Sequence, residues 1–347
     1  MDRLERKELI SISVKLSLLI IVIFTQLLSV SGREPLKIYL EEVLSIGTLD
    51  DDILFQWVAV VADFDKLYVT DTMDYSIKLF DEKGNLLKKT GRKGQGPGEF
   101  SAIRFLGISE QFLYVTDQYM PGIQVFDKDL NYKERIPVFI PISDIKVISD
   151  DEIAVASLSV DKEKKGMIFI YNQKGEVVRE IKYLDKKAPL VLDMVSFDFD
   201  PQGNLYIAYT FQDRVEKFNP EGKKLWSKRL VKVKKLETKK IQSFELPTKV
   251  IYKDVALNSS GHLFVLGGSY SENPSRDVYV LSPEGELLAT ITLPDTSHCV
   301  YIDSQDYLYS RANEGVTLKK FRMKYINENP QRLKKSAEGS YNLIGLR

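Results

Sequence analysis

The chain is poor in the side chains that most often carry chemistry. It has two histidines, His262 and His298, and one cysteine, Cys299. A lone cysteine excludes an intrachain disulfide and leaves the redox compartment open. Two histidines are too few for the His-rich, three-ligand zinc centre of a catalytic site. An excess of charge of one sign is also missing, because 49 Lys and Arg balance 49 Asp and Glu, so nothing in the overall charge points to a polyanionic partner or an acidic substrate. A P-loop is absent, and no catalytic motif stands out.

Only one long apolar run occurs, Leu16 to Val30, behind Arg3, Arg6, Lys7 and Lys15 and ending in Ser29-Val30-Ser31. A basic flank, a short apolar core and small residues at the end form the pattern of a secretory signal peptide. Counting back to Ile10 would instead give an uncleaved anchor, although Lys15 interrupts that longer count. Residues 1–31 are therefore expected to be a signal peptide or an N-terminal membrane anchor. The body would then be exported across the cytoplasmic membrane and work in the periplasm or outside the cell, touching the membrane only through that segment.

What the sequence does have is repetition. Six copies align on one strand: Leu67-Tyr-Val, Leu113-Tyr-Val, Ile153-Ala-Val, Leu205-Tyr-Ile, Leu263-Phe-Val and Leu308-Tyr-Ser. A second strand follows each, ending at Phe80, Phe126, Tyr171, Phe218, Leu281 and Phe321; the spacing is constant in four copies and five residues longer in the third and fifth. Next comes a turn, Asp81-Glu-Lys-Gly84 in the first copy, repeated as Asn172 to Gly175, Asn219 to Gly222 and Ser282 to Gly285. Asp, Asn or Ser can bond its own backbone there, and Gly accepts positive φ. The second copy has Asp127-Lys-Asp-Leu130, with Asn131 expected in the strained position. An apolar run precedes each of the six aligned strands, which makes the aligned strand the second of its unit. The expected unit is thus four antiparallel strands, and units of that kind repeated around an axis make a β-propeller. The fold class is all-β: one six-bladed β-propeller of four-stranded antiparallel blades over 36–326, preceded by the N-terminal hydrophobic signal segment and followed by a polar tail, 327–347. The sixth copy lacks its outer strand, so Lys37–Leu40 or Val43–Ile46 is expected to close the ring.

The stretch from Lys66 to Phe100, with its connector Gly91-Arg-Lys-Gly-Gln-Gly-Pro-Gly-Glu-Phe100, and the following Phe112-Leu-Tyr-Val-Thr-Asp117 resemble NHL repeats and the TolB-like six-bladed propellers of exported bacterial proteins. That resemblance implies binding of proteins, nucleic acids or glycans, and in a minority of related propellers metal-dependent lyase or lactonase chemistry.

Alternating strands place the loops between second and third strands and the blade-to-blade connectors on one face, here called the top. Loops on a rigid scaffold are where binding concentrates. The candidate ligand-binding residues on that face are Asp71 and Asp117 at equivalent strand ends, Arg92, Lys93 and Gln95 in the glycine-rich connector, Tyr209, and Lys232, Lys234 and Lys235 in the long basic connector. The connector glycines are expected to serve a tight crossover rather than to cradle phosphate. His298 could face the channel, with His262 on the opposite face. His298 and Cys299 are not expected to act as a base–nucleophile pair, because neighbours in a strand point apart. No catalytic residue, metal site or cofactor is assigned. The expected function is that of a monomeric, exported, non-catalytic binding or scaffold module for a protein or glycan, with nucleic acid not expected; the alternative is a metal-dependent propeller hydrolase or lyase with its site in the central channel.

Overall fold

The computed structural model describes residues 36–157, 167–182, 194–233, 237–241, 244–269 and 275–326. The chain divides into two compact units, 38–325 and the pair of end segments 1–37 with 326–347, of which only 36, 37 and 326 are described. The first unit is the propeller.

It opens with β1 (Lys37–Ile46). Blade 1 is β2 (Trp57–Asp63), β3 (Lys66–Asp71), β4 (Ser76–Phe80) and β5 (Leu86–Thr90). Blade 2 is β6 (Ile103–Ile108), β7 (Phe112–Asp117), β8 (Ile123–Asp127) and β9 (Tyr132–Ile136); blade 3 is β10 (Ile142–Val147), β11 (Ile153–Ser157), β12 (Met167–Tyr171) and β13 (Val177–Lys182). Blade 4 is β14 (Val195–Phe199), β15 (Leu205–Tyr209), β16 (Val215–Phe218) and β17 (Lys224–Lys228). A ribbon, β18 (Thr238–Ile241) with β19 (Phe244–Pro247), then rises from the long connector. Blade 5 is β20 (Tyr252–Leu257), β21 (Leu263–Gly267), β22 (Asp277–Leu281) and β23 (Leu287–Thr292); blade 6 is β24 (Val300–Ile302), β25 (Tyr307–Ala312) and β26 (Thr317–Ile326). In each of blades 1–5 the strands pair in sequence order, whereas blade 6 takes β1 as its outer strand. The ring is closed as expected, by one strand covering both candidate segments.

Burial explains the sequence pattern. Second strands such as β3 are buried on both faces, so their middle is a continuous apolar run, Leu67-Tyr68-Val69, while the outermost β5 is exposed and mixes Leu86 and Leu87 with Lys88, Lys89 and Thr90. The recurring Tyr of the second strand is fully buried at Tyr68, Tyr114, Tyr206 and Tyr309. Each hydroxyl donates to an acceptor: the carbonyls of Lys128 and Asp150, and the carboxylates of Asp200 and Asp303. A buried phenol needs such a partner. The turn after each third strand has Gly84, Gly175, Gly222 or Gly285 at φ 77–84°. In the second copy the structure corrects the expectation. Leu130, not Asn131, has positive φ (60°), because its side chain is needed in the core beside Phe126, while Asn131 donates to the Asp127 carboxylate.

Candidate functional site

The candidate residues of the top face do not converge. Asp71 is fully buried, and its two oxygens accept from the backbone N–H groups of Phe55, Gln56 and Met73 and from Lys78 Nζ (2.9 Å). Asp117 accepts from Ser101, Ala102 and Tyr119 N–H. Both carboxylates are therefore engaged in closing their own loops. Lys78, only 2% exposed, was not singled out in the sequence; it also bonds the Ile53 carbonyl and pairs with Asp74 (2.8 Å). Gln124, two residues before the end of the aligned motif like Lys78, plays the matching part in blade 2 by accepting from Gly98 N–H and donating to the Glu99 carbonyl.

The glycine-rich connector is an anion cradle already filled from within. Glu99 accepts from Gln95 and Gly96 N–H and from Arg92 Nε, with Arg92 Nη2 at 2.6 Å, and these contacts hold its carboxyl below the ordinary range. A Cβ on Gly94 would fall 2.1 Å from the Glu99 carboxylate and displace it from these donors. Phe100 anchors the crossover in the core. Arg92, Lys93 and Gln95 are exposed. Tyr209 is buried and donates to Glu216 (2.7 Å) under the Arg214 guanidinium. Lys232 is exposed, and Lys234 and Lys235 lie outside the described residues. None of the seven that are described lines the central cavity.

That cavity, about 610 Å³, is bounded by the first strands of all six blades. Its wall from blades 1 and 2 is apolar apart from Arg104 at the start of β6, with Val58, Ala59, Leu106 and Ile108, whereas blades 3 to 6 contribute most of the charged groups. Carboxylates there stitch each first strand to the next: Asp144 Oδ2 accepts from Phe197 N–H, Asp198 from Leu257 N–H (3.0 Å) and Asp254 from Val300 N–H (2.9 Å). Ser196 Oγ donates to Asp254 (2.7 Å). Burial pushes the Asp144 carboxyl up to about 7, against the pull of Lys146 and with Asp254 adding to the rise. The nearby carboxylates Asp198, Asp144 and Asp254 in turn hold the Lys146 ammonium above its ordinary value against burial. Among the described residues no three His, Cys, Asp or Glu side chains form a metal-holding group.

His298 lines the cavity, as expected, and so does Cys299. Both precede β24, so strand alternation does not part them. Their chemistry does: burial lifts the thiol to about 12 and lowers the imidazole to about 4, helped by Arg311 and Lys253. A thiol so hard to ionise is a poor nucleophile. The polar lining was missed because the first strands read as apolar runs; the signal was the alternation Asp144-Ile-Lys146 and Ser196-Phe-Asp198 inside them.

The sequence matches the family model of the six-bladed β-propeller DUF5128 over residues 42–243, more than half of the chain. The chain belongs to that family. No curated protein matches the sequence. Among solved structures, this propeller resembles a member of the DUF4221 family from Bacteroides vulgatus at TM-score 0.58 and 14% identity, covering 85% of this chain and 100% of that one. It also resembles the RRP9 WD40 repeats at TM-score 0.54 and 14% identity, covering 82% and 100%. At this identity the likeness is one of fold. No helix among the described residues is long and apolar enough to cross a membrane, and Leu16 to Val30 lies outside them.

Proposed function

We propose that this propeller is a non-catalytic binding module that takes a protein partner on its top face, outside the cytoplasm. One observation carries the reading. Large apolar side chains stand exposed on the top loops and connectors of neighbouring blades: Leu49 and Phe55 before blade 1, Met73 in blade 1, Tyr119 (72% exposed) in blade 2 and Phe139 (79%) between blades 2 and 3. Exposed apolar groups gathered on one surface mark interaction sites, and aromatic residues dominate the energetics of protein interfaces. The finer likeness to NHL-type propellers, carried by the Gly91–Phe100 connector, leads the same way. Export rests on the character of residues 1–31.

A photo-crosslinking residue placed at Tyr119 or Phe139 in the expressing cell should yield one discrete adduct, weakened at least tenfold by Met73→Asp. The same residue at Phe64, 75% exposed on the opposite face, should yield none. Equal adducts from both faces, or none from the top, would refute the assignment. A glycan partner would give the second result.

A further inference from the structure

At the top end of the channel, Lys253, His298 and Arg311 share one lining, joined by the exposed Arg104, which holds the same place in β6 as Lys253 does in β20. Topology puts them there. Lys253 is the second residue of β20, which starts at the top; His298 precedes β24, which starts there too; and Arg311 is the penultimate residue of β25, which returns to it.

Arg311 is only 8% exposed, yet its guanidinium has a built seat. On one side lies the Trp57 ring, 5.6 Å away. On the other lies Gly315, at φ 100°, where any Cβ would stand 1.8 Å from Nη2 and push the guanidinium out of this position. Nη2 donates to the Glu314 carbonyl (3.2 Å), while the buried Nε has no acceptor among the described residues. No carboxylate of the described residues forms an ion pair with this guanidinium. Burying a cation without a counter-charge is costly, so a seat shaped for one needs a reason. Lys253, also buried, holds a second positive charge on the same lining and is fixed by the carbonyls of Ser275 and Ser297 (3.0 Å each). Ser297 ties the two together, because its Oγ accepts from Arg311 N–H (2.8 Å). Asp254, the neighbouring carboxylate in the chain, already accepts from Ser196, Val255 and Val300.

We propose that the top mouth of the channel binds the oxyanion group, carboxylate or phosphate, of a small organic ligand, with Arg311 as the fork that grips it and Lys253 as the supporting charge. A planar guanidinium matches either group bidentately. The apolar wall of Val58 and Leu106 suits a short hydrocarbon body, and the carboxylates deeper in the channel keep the charged end at the mouth.

Calorimetric titration of the purified full chain at pH 7 and low salt, with hexanoate and with hexyl phosphate, tests this. At least one should bind saturably at one site, and which one identifies the group. Arg311→Lys should weaken that binding about tenfold and Arg311→Met should abolish it. Lys253→Met, which leaves the Trp57–Arg311 packing alone, should weaken it at least fivefold. Circular dichroism melts establish that each variant is folded. Failure of both probes to bind the wild-type chain below 10 mM, or undiminished binding in folded Arg311→Met or Lys253→Met, would overturn the proposal.

Discussion

At the scale of single residues, the channel carboxylates depart furthest from what their types suggest. Asp144 is held mainly by burial at a value near 7, above the 3.8 of an unperturbed Asp. Between those two values the folded state binds more protons than the unfolded one. Its stabilising share is therefore complete below about pH 4 and disappears as pH rises through 7. Lys146, Asp198 and Asp254 face the same space, and Asp254 is shifted in the same direction by burial. Asp144→Asn keeps an oxygen for the Ile145 N–H and removes the charge. Urea unfolding from pH 4 to 8 should show its stability gaining on the wild type by roughly 1–3 kcal/mol across that range. A constant difference would mean that Asp144 titrates like an exposed carboxylate. Such residues were illegible in the sequence because a carboxylate's neighbours around the ring come from other blades. Leu130 shows the same limit. Turn chemistry favours Asn at positive φ, but burial beside Phe126 outweighs it, and burial is not a local property.

At the scale of elements, the legible part was the repeat itself: second and third strands, the turns between third and fourth, and the strand ends at Asp71 and Asp117 where top loops begin. The loops differ in what lies behind those two aspartates. In blade 1 it is a cation, Lys78, shared among Asp71, Asp74 and the Ile53 carbonyl. In blade 2 it is neutral Gln124. Asp71→Ala therefore strips four donors of their acceptor and leaves a buried ammonium half-compensated, which should cost about 3–5 kcal/mol. Asp117→Ala orphans only backbone N–H groups near solvent and should cost about 1–3 kcal/mol. Guanidinium chloride denaturation of the two variants measures both. Equal losses would show that Lys78 finds adequate partners without Asp71. The long basic connector was less legible: its β18–β19 ribbon obeys no propeller repeat, so the period that revealed the blades is silent there.

For the whole molecule, closure of the ring decides cooperativity. Strand β1 pairs with β26, linking the chain's first described strand to its last, and so makes every blade a neighbour of two others. Its ion pairs, Glu41 with Lys324 (2.9 Å) and Glu42 with Lys319 (3.2 Å), lie at the rim and contribute little. Its apolar end matters more. Ile46, buried, and Leu44 pack with Leu54, Trp57, Phe80 and Leu318, a cluster that joins blades 1 and 6. An open array of blades would instead behave as a chain of nearest-neighbour units that can fray from either end. Deleting residues 33–48 should therefore turn a single thermal transition into a broad or stepped one. A synthetic peptide of residues 36–48 added in trans should restore the sharp transition by re-forming the fourth strand of blade 6. Apolar burial supplies the affinity, so the restoration should survive 0.5 M salt, whereas one built on the Glu41 and Glu42 pairs would be screened away. If the truncated chain unfolds as sharply as the intact one, cooperativity resides within the blades, and ring closure has no part in it.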